Sequence, residues 1–193
     1  MPASDSSLAG LAAIAAPPRS AAPLDDVDLR LLKLLSQDSR TSQRQLAAQL
    51  GVSPPTVGER IGRLERLGVI RGYSVTVDWE ALGLGALVYL SVTVAPGHSI
   101  ADVMGSMWDI TEVEEVVVVT GRLDMLARVR VRDHLHLREL LINHLWQIPG
   151  LQGTETMTGM AEMPPKAFLG DMLTKMLSEG SVMARAQIQS ADR

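Results

Sequence analysis

Two arginines, Arg60 and Arg63, lie three residues apart in the segment "SPPTVGERIGRLERLGVI", which occupies residues 53–70. At 100° per residue they share one side of a helix with Thr56, and apolar residues form a separate side that can pack. A guanidinium group is planar and donates two parallel hydrogen bonds, a geometry that matches phosphate oxygens and the guanine edge. The segment therefore predicts a helix that binds a polyanion such as DNA.

The distribution of charge supports this prediction for one segment only. The chain of 193 residues has 18 Lys and Arg against 22 Asp and Glu, a formal charge of −4. Residues 39–72 contain 6 basic and 2 acidic groups, residues 1–38 contain 3 and 5, and residues 73–193 contain 9 and 15. The balances of +4, −2 and −6 sum to the −4 of the whole chain. A basic segment in an acidic chain is typical of one module that meets nucleic acid.

Three helices are expected to position the arginines. Each begins at a residue that favours the N-cap position, and Gln45 completes a capping box at the second helix. The second and third helices are separated by only "GVS", and such a tight connection predicts a helix-turn-helix whose second member is the reader helix. The predicted N-caps are Asp25, Ser42 and Ser53.

The reader helix leaves two points open. Its basic side can alternatively be a solvated surface, with Glu59 paired to Arg63 four residues on. Gly58 and Gly62 each weaken a helix interior by about 1 kcal/mol relative to alanine. They indicate either a close approach to the backbone or a helix that becomes ordered on DNA.

The second half of the chain predicts an α+β unit. Residues 69–79 alternate as a strand that can serve as a wing or an arm, and "ALGLGA" marks a boundary near residue 84. The order βαββαβ that follows is the ferredoxin-like unit, with both helices on one face of an antiparallel sheet. The expected elements are a strand (87–95), a helix (99–110), two strands (113–120 and 125–131), a helix (134–148) and a strand (152–160).

The strand "EVVVVT" predicts self-association. It is apolar without alternation, which is typical of a strand covered on both sides, and this topology supplies helices for one side only. A second copy of the sheet is the expected cover, most commonly in a two-fold dimer. Arg128, Arg130 and Arg132 share one strand face and are expected to be solvated or paired between subunits.

The two ends of the chain have different patterns. Residues 1–23 are rich in Ala, Ser and Pro and are expected to be a flexible tail rather than a secretory signal. Phe168, Met172 and Met176 recur at helical spacing, which predicts a further helix, and the last dozen residues are expected to be loose. There is no cysteine and no apolar run of membrane-spanning length, so a cytoplasmic protein without a membrane segment is expected.

The chain resembles the leucine-responsive and asparagine-responsive (Lrp/AsnC) transcriptional regulators. The likeness covers residues 24–162 and rests on "LDDVDLRLLKLLSQDSRTSQRQLAAQLGVS", "RLERLGVIRGYSVTVD", "VVVVTGRLDMLARVRVRD" and "IPGLQGTETMT". It implies a DNA-binding domain (24–72), a linker strand (73–84) and a ferredoxin-like domain (85–162) that forms dimers and often octamers. Residues 163–193 follow as a C-terminal extension.

The resemblance also implies an amino-acid effector near the turn between the second and third strands of the sheet. This turn is Gly121 to Asp124 here, with Arg122 where relatives often have an acidic or small residue. Asp124 is the expected acceptor for an ammonium group, and Thr154 or Thr156 is expected to line the same crevice. Arg122 changes the charge of that crevice, so a different ligand or none is an open alternative, as is Asp124 as a turn residue paired with Arg122.

Six residues are predicted to contact double-stranded DNA. Two are the guanidinium groups of the reader helix, and the other four are expected to meet phosphates or base edges. They are Arg60 and Arg63, with Gln43, Arg44, Ser53 and Thr56.

Other function classes find less support in the sequence. The four histidines are dispersed, and His134 and His136 point 200° apart on a helix, which is poor geometry for a metal. No catalytic constellation, metal site or cofactor is expected. Siroheme decarboxylases resemble Lrp-type regulators in architecture. They remain an enzymatic alternative, which a bound tetrapyrrole would reveal. A DNA-compacting protein without an effector is the other alternative; a true operator binder prefers its site by about a thousandfold or more.

Overall fold

The computed structural model describes residues 20–163 and 166–191, with side chains of the last helix described as far as residue 180. Within these residues the chain divides into two compact units. The helical unit comprises residues 20–75, 163 and 166–191, and the sheet unit comprises residues 76–162. Most of the predicted N-terminal tail, residues 1–19, lies outside the described residues.

Six helices and four strands form the described chain. In chain order they are α1 (Asp26–Gln37), α2 (Gln43–Leu50), α3 (Pro54–Arg66), β1 (Ala86–Val94), α4 (Ile100–Trp108), β2 (Val113–Val118), β3 (Met125–Val131), α5 (His134–Asn143), β4 (Leu151–Thr158) and α6 (Phe168–Ala191). A 3₁₀ turn, Leu145–Gln147, follows α5. None of the described helices is both long and apolar enough to cross a membrane.

The first three helices begin at the predicted caps. The Asp28 amide donates to the Asp25 carboxylate over 2.8 Å, and the Asp25 amide donates back to the Asp28 carboxylate over 3.2 Å. Ser42 and Gln45 form the same reciprocal box at α2. Gly51 ends α2 with a φ of 70°, a left-handed conformation that glycine adopts without steric cost. The predicted α1–α3 arrangement is confirmed, with α3 as the reader helix.

The core of the helical unit combines helices from the N-terminal and the C-terminal part of the described chain. Leu31, Leu46 and Leu64 from α1–α3 are fully buried. Leu173 of α6 is only 4% exposed and belongs to the same core. Because α6 packs against α1, helices α1–α3 and the C-terminal extension form one unit.

Two predictions for segments of the helical unit and its exit are wrong. Residues 71–78 form no strand, although their polar and apolar residues alternate. A strand needs a neighbour for its backbone groups, and within the described residues none pairs with this segment, so Val75 is 78% exposed. The last dozen residues are not loose as far as they are described, because α6 continues to Ala191. Good helix formers such as Ala, Arg and Gln favour this extension.

The sheet unit has the predicted ferredoxin-like topology. The strand order is β2-β3-β1-β4, and every neighbouring pair is antiparallel. Alternate residues of β1 and β3, such as Val88 opposite Val129, point to the face that α4 and α5 cover. Met107 of α4 and Leu140 of α5 are buried there. We call the opposite face, which carries Tyr89, the open face.

The open face has partly exposed apolar side chains. Tyr89 is 40%, Val117 43% and Met157 45% exposed in the single chain. Within the "VVVV" run, Val116 is buried under the helices and the next residue, Val117, is exposed, although both are apolar. Self-association through this face stays a prediction.

Candidate DNA interface and ligand cavity

The two arginines of the reader helix form ion pairs within the helical unit. The Arg60 Nη1 atom lies 2.8 Å from the Asp25 carboxylate and 2.7 Å from Asp28 Oδ1. The Arg63 Nη1 atom lies 2.7 Å from Asp28 Oδ2, and its Nη2 atom donates to the carbonyl of Pro23 over 2.6 Å. The alternative Glu59–Arg63 pair does not form, because Asp28 occupies this guanidinium group.

These ion pairs join α3 to the start of α1. The Asp28 side chain is 0% exposed and accepts from both arginines. The Asp28 amide and then the Arg60 guanidinium lower the pKa of Asp25, and hydrogen bonds to Asp25 and Asp28 raise the pKa of Arg60. The same carboxylates that cap α1 thus fix the position of the reader helix. A contact of Arg60 and Arg63 with DNA stays a prediction.

The other four predicted DNA contacts lie at the starts of α2 and α3. Gln43 and Arg44 are the first two residues of α2, and both are exposed. The Ser53 hydroxyl caps α3 and lies 2.7 Å from the Thr56 hydroxyl. Thr56 also faces the arginines across a cavity of about 320 Å³ that they line together. Thr56 therefore lies beside the two arginines, whereas Gln43 and Arg44 do not line this cavity.

One basic residue of α3 was not among the six predicted DNA contacts. Arg66 is exposed at the end of α3 and makes no ion pair among the described residues. Its Nη1 atom lies 3.2 Å from the point that a Cβ on Gly62 would occupy. The sequence contained a signal for this contact: Gly62 lies four residues before Arg66, and residues at this spacing are neighbours on one helix face.

The sheet unit contains a second cavity, of about 580 Å³, on its open face. Arg122 comes from the turn after β2, and Glu155 comes from β4. The remaining lining is small or apolar: Thr93, Val119, Thr120, Leu123 and Leu126. The cavity thus presents one cation, one anion and an apolar wall.

Only one of the five predicted effector residues lines this cavity. Arg122 does, whereas Gly121 forms the turn with a φ of 129°. The Asp124 carboxylate accepts the Val94 amide over 2.8 Å, so it fastens the turn to β1 and is not paired with Arg122. Thr154 and Thr156 do not line the cavity: they lie opposite Val92 and Leu90, which point to the helix-covered face. Strand alternation instead presents the intervening residue, Glu155.

The arginines of β3 have partners within the chain. Arg130 is 7% exposed, and its Nε atom lies 2.6 Å from Glu114. Both Arg128 and Arg130 reach Glu162 at 3.2 Å. Arg130 also lies 5.4 Å from the ring centroid of Trp79, a cation–π distance. The expectation of solvated or intersubunit partners is therefore wrong for Arg128 and Arg130.

His136 is the histidine with the most defined surroundings. Its Nε2 atom lies 3.1 Å from Glu112 Oε1, and its Nδ1 atom accepts the Arg132 amide over 3.3 Å. It is only 12% exposed, so the expectation of a solvated histidine is wrong here. No three acidic or histidine side chains cluster as metal ligands in the part of the chain that the structure describes.

The fold and these two sites define a class of protein: a helix-turn-helix DNA-binding unit joined to a ferredoxin-like ligand-binding unit. The comparisons with known families agree. Residues 24–71 match the winged helix-turn-helix DNA-binding domain, and residues 87–166 match the Lrp/AsnC ligand binding domain. The chain belongs to the Lrp/AsnC family, and it is a transcriptional regulator.

Relatives of known identity support this assignment over most of their length. The HTH-type transcriptional regulator FL11 of Pyrococcus horikoshii is 33% identical over 135 residues, 70% of this chain and 88% of FL11. The leucine-responsive regulatory protein of Escherichia coli is 33% identical over 144 residues, 72% of this chain and 87% of that protein. Both relatives are named as regulators, not as enzymes.

Solved structures share the fold. AsnC of Escherichia coli matches with a TM-score of 0.69 and 26% identity, covering 76% of this chain and 99% of AsnC. LrpC of Bacillus subtilis matches with a TM-score of 0.66 and 28% identity, covering 75% of this chain and all of LrpC (100%). Helix α6 begins at Phe168, after the second family match ends at residue 166.

Proposed function

We propose that this regulator meets duplex DNA with the exposed sides of α2 and α3, and that Arg60 and Arg63 act by positioning α3. The observation that carries the proposal is the division of the basic residues in segment 39–72. Two of its six arginines are ion-paired with Asp25 and Asp28. The other four make no ion pair among the described residues: Arg40, Arg44, Arg66 and Arg71.

Unpaired arginines are the better phosphate ligands. A guanidinium group that turns from a carboxylate to a phosphate gives up its ion pair, and the buried Asp28 would then keep only one of its two counter-charges. Arg44 has no such cost. Phosphate contacts therefore fall to the exposed cations, and Arg60 and Arg63 keep the reader helix at a fixed angle to α1.

The start of α2 is also better suited to bind a phosphate than the start of α3. The first turn of a helix has amide groups without intrahelical acceptors, and these bind anions. In α3 the first two residues, Pro54 and Pro55, have no N–H, and the Thr56 amide donates to Ser53. In α2 the amides of Gln43 and Arg44 remain available beside the Arg44 side chain. We expect the α2 start to hold the DNA backbone, with Ser53 and Thr56 at its edge.

The test compares salt dependence of duplex binding. Each lost phosphate contact should reduce the slope of log K against log salt by about 0.9. We expect Arg44→Ala to reduce the slope by about that amount, and Arg60→Ala to leave it unchanged under conditions where the protein is folded. Arg30→Ala removes an exposed arginine of α1 and is the matched control.

The opposite pattern would overturn the proposal. If Arg60→Ala lowers the slope and Arg44→Ala does not, the ion-paired arginines are the phosphate ligands. Circular dichroism of each variant at the assay temperature separates loss of contacts from loss of folding.

We further propose that the cavity on the open face binds a small zwitterion such as an amino acid. Arg122 offers donors to a carboxylate, Glu155 offers an acceptor to an ammonium group, and Leu126 offers an apolar wall. A thermal-shift panel of the amino acids tests this proposal. A ligand that stabilises the protein should lose its effect in Glu155→Gln and Arg122→Met and keep it in Glu139→Gln, which changes an exposed residue of α5.

A second copy of the chain is the proposed cover of the open face. Tyr89, Val117 and Met157 are partly exposed there, and a dimer would place two helical units on two DNA half-sites. Sedimentation of the purified protein gives the state, and Val117→Glu should shift it toward the monomer. The proposed function is regulatory and involves no catalysis, and a tetrapyrrole that copurifies would contradict this part.

A further inference from the structure

We propose that Gln43 and Arg66 read bases, and that Gly58 and Gly62 exist to hold these two side chains against the exposed side of α3. This inference rests on the DNA docking proposed above. A Cβ added at Gly58 would lie 3.1 Å from Gln43 Oε1 and 3.4 Å from Gln43 Nε2. A Cβ added at Gly62 would lie 3.2 Å from the Arg66 Nη1 atom. Each glycine thus gives space to one polar group.

Both glycines lie away from the packed side of α3. Val57 and Leu64 are fully buried and define the packed side. At 100° per residue from Val57, Gly58 lies at 100° and Gly62 at 140°, whereas Arg66 lies at 180°. The Arg66 side chain folds back toward the start of the helix, the direction that helix geometry favours for long side chains. Gln43 arrives at the same side from α2.

The Gln43 amide and the Arg66 guanidinium make no side-chain hydrogen bond among the described residues, and both side chains are exposed. Arg60 and Arg63 differ in this respect, because their Nη1 atoms already donate to carboxylates within the protein. The Gln43 amide beside α3 and the Arg66 guanidinium on α3 therefore have hydrogen-bonding capacity that no described residue uses.

The chemistry of the two groups predicts what they read. A glutamine amide pairs with the N6 and N7 atoms of adenine, and a guanidinium group pairs with the O6 and N7 atoms of guanine. Gly58 and Gly62 are four residues apart, a rise of about 6 Å along the helix axis, whereas successive bases of a strand are about 3.4 Å apart. We expect each half-site to contain an adenine and a guanine one or two base pairs apart.

The inference also accounts for the weak helix-forming sequence of α3. Each of these glycines costs about 1 kcal/mol relative to alanine in a helix interior. An alanine would stabilise the helix, but its Cβ would require the Gln43 amide or the Arg66 guanidinium to move by a few tenths of an ångström. Base readout requires hydrogen-bond distances, so such a displacement should lower discrimination while the charge of the surface is unchanged.

The experiment selects binding sites from a random duplex library with the full chain. The wild-type protein should select adenine and guanine at the stated spacing. Gln43→Ala should lose the adenine preference and Arg66→Ala the guanine preference, each by about ten- to a hundredfold in relative affinity for the two bases. Gly62→Ala should relax the guanine preference and Gly58→Ala the adenine preference.

The glycine variants are the sharpest arms because alanine favours a folded helix and removes no charge. Gly105→Ala, in a helix of the sheet unit where no atom lies within 4 Å of the added Cβ, is the matched control. If the wild type selects a motif and all four variants select the same motif, the inference is overturned while DNA docking stands. If the wild type binds duplex DNA with the expected salt dependence but selects no motif, the inference alone is overturned; if it shows no salt-dependent binding, the docking proposal fails as well.

Discussion

The helical unit and the sheet unit each contain two neighbouring arginines that bind two carboxylates, but the partners differ in kind. In the helical unit, Arg60 and Arg63 bind Asp25 and Asp28, which also cap α1. In the sheet unit, Arg128 and Arg130 bind Glu114 at the start of β2 and Glu162 at the end of the unit. One network orients a helix, and the other ties a strand to the chain that leaves the sheet.

A pair of neighbouring arginines does not by itself indicate a ligand site, since both pairs bind carboxylates of the protein itself. What distinguishes the two networks is burial of the acid. Asp28 is 0% exposed, whereas the side chains of Glu114 and Glu162 are 22% and 46% exposed. A buried carboxylate depends on its cations more strongly than an exposed one, because water cannot replace them. The helical network should therefore be the more costly one to break.

Asp28→Ala should have the largest effect. It removes an acceptor from both arginines and half of the α1 capping box, and we expect the helical unit to lose about 3 kcal/mol of stability. All three tryptophans lie in the sheet unit, at positions 79, 108 and 146. Urea unfolding followed by far-ultraviolet circular dichroism should show the loss, and tryptophan fluorescence should not. Asp26→Ala, an exposed residue of the same turn, is the control; an equal loss there would contradict the role of burial.

Leu173→Ala tests whether the helical network depends on α6. The side chain is 4% exposed in the core that contains α1, and its truncation should cost about 2–4 kcal/mol. Met176, which is 45% exposed on the same helix, is the matched position, and Met176→Ala should cost much less. Circular dichroism during urea unfolding measures both. Equal effects would mean that α6 does not contribute to the core.

Arg130→Met should have a smaller effect on the sheet unit. Methionine keeps most of the volume, and Glu114 and Glu162 retain Arg128, so we expect a loss of about 1–2 kcal/mol. Trp79 also loses its cation–π partner, and tryptophan fluorescence during urea unfolding should report the change. Arg138→Met, at an exposed position of α5, should be neutral. A loss as large as that of Asp28→Ala would remove the contrast between the networks.

The pH dependence should give the smallest effect. The pKa of Asp25 is lowered from 3.8, first by the Asp28 amide and then by Arg60, so its ionised form is favoured in the folded state. Its contribution to stability is complete above pH 3.8 and is lost as the pH falls through the lower folded-state pKa. The asparagine in the variant Asp25→Asn still caps the helix. The difference in free energy of unfolding between this variant and the wild type should become smaller only in acid. Asp26→Asn should show no such narrowing at the same pH.

Much of the fold could be read from local signals. Asp25, Ser42 and Ser53 begin their helices because their side-chain oxygens satisfy amide groups within three residues, which is a property of sequence alone. The βαββαβ order followed from periodicity in the same way. The wing strand could not be predicted correctly, because alternation at residues 71–78 does not supply the neighbour that a strand requires.

The sites were harder to predict than the elements. The turn after β2 was correctly located at Gly121 and Arg122. Thr154 or Thr156 was expected to line a crevice there, and β4 presents Glu155 to the cavity instead. A shift of one residue along a strand exchanges its two faces, so face assignment requires the observed register.

The helix starts, the βαββαβ order of the elements and the family could be recognised from the sequence, because these depend on short-range spacing and local motifs. Only the tertiary structure decided that Asp28 lies between Arg60 and Arg63, which are 32 and 35 residues away along the chain. It also decided that α6 completes the helical core. Long-range pairing depends on which surfaces meet, and spacing along the chain contains no information about that.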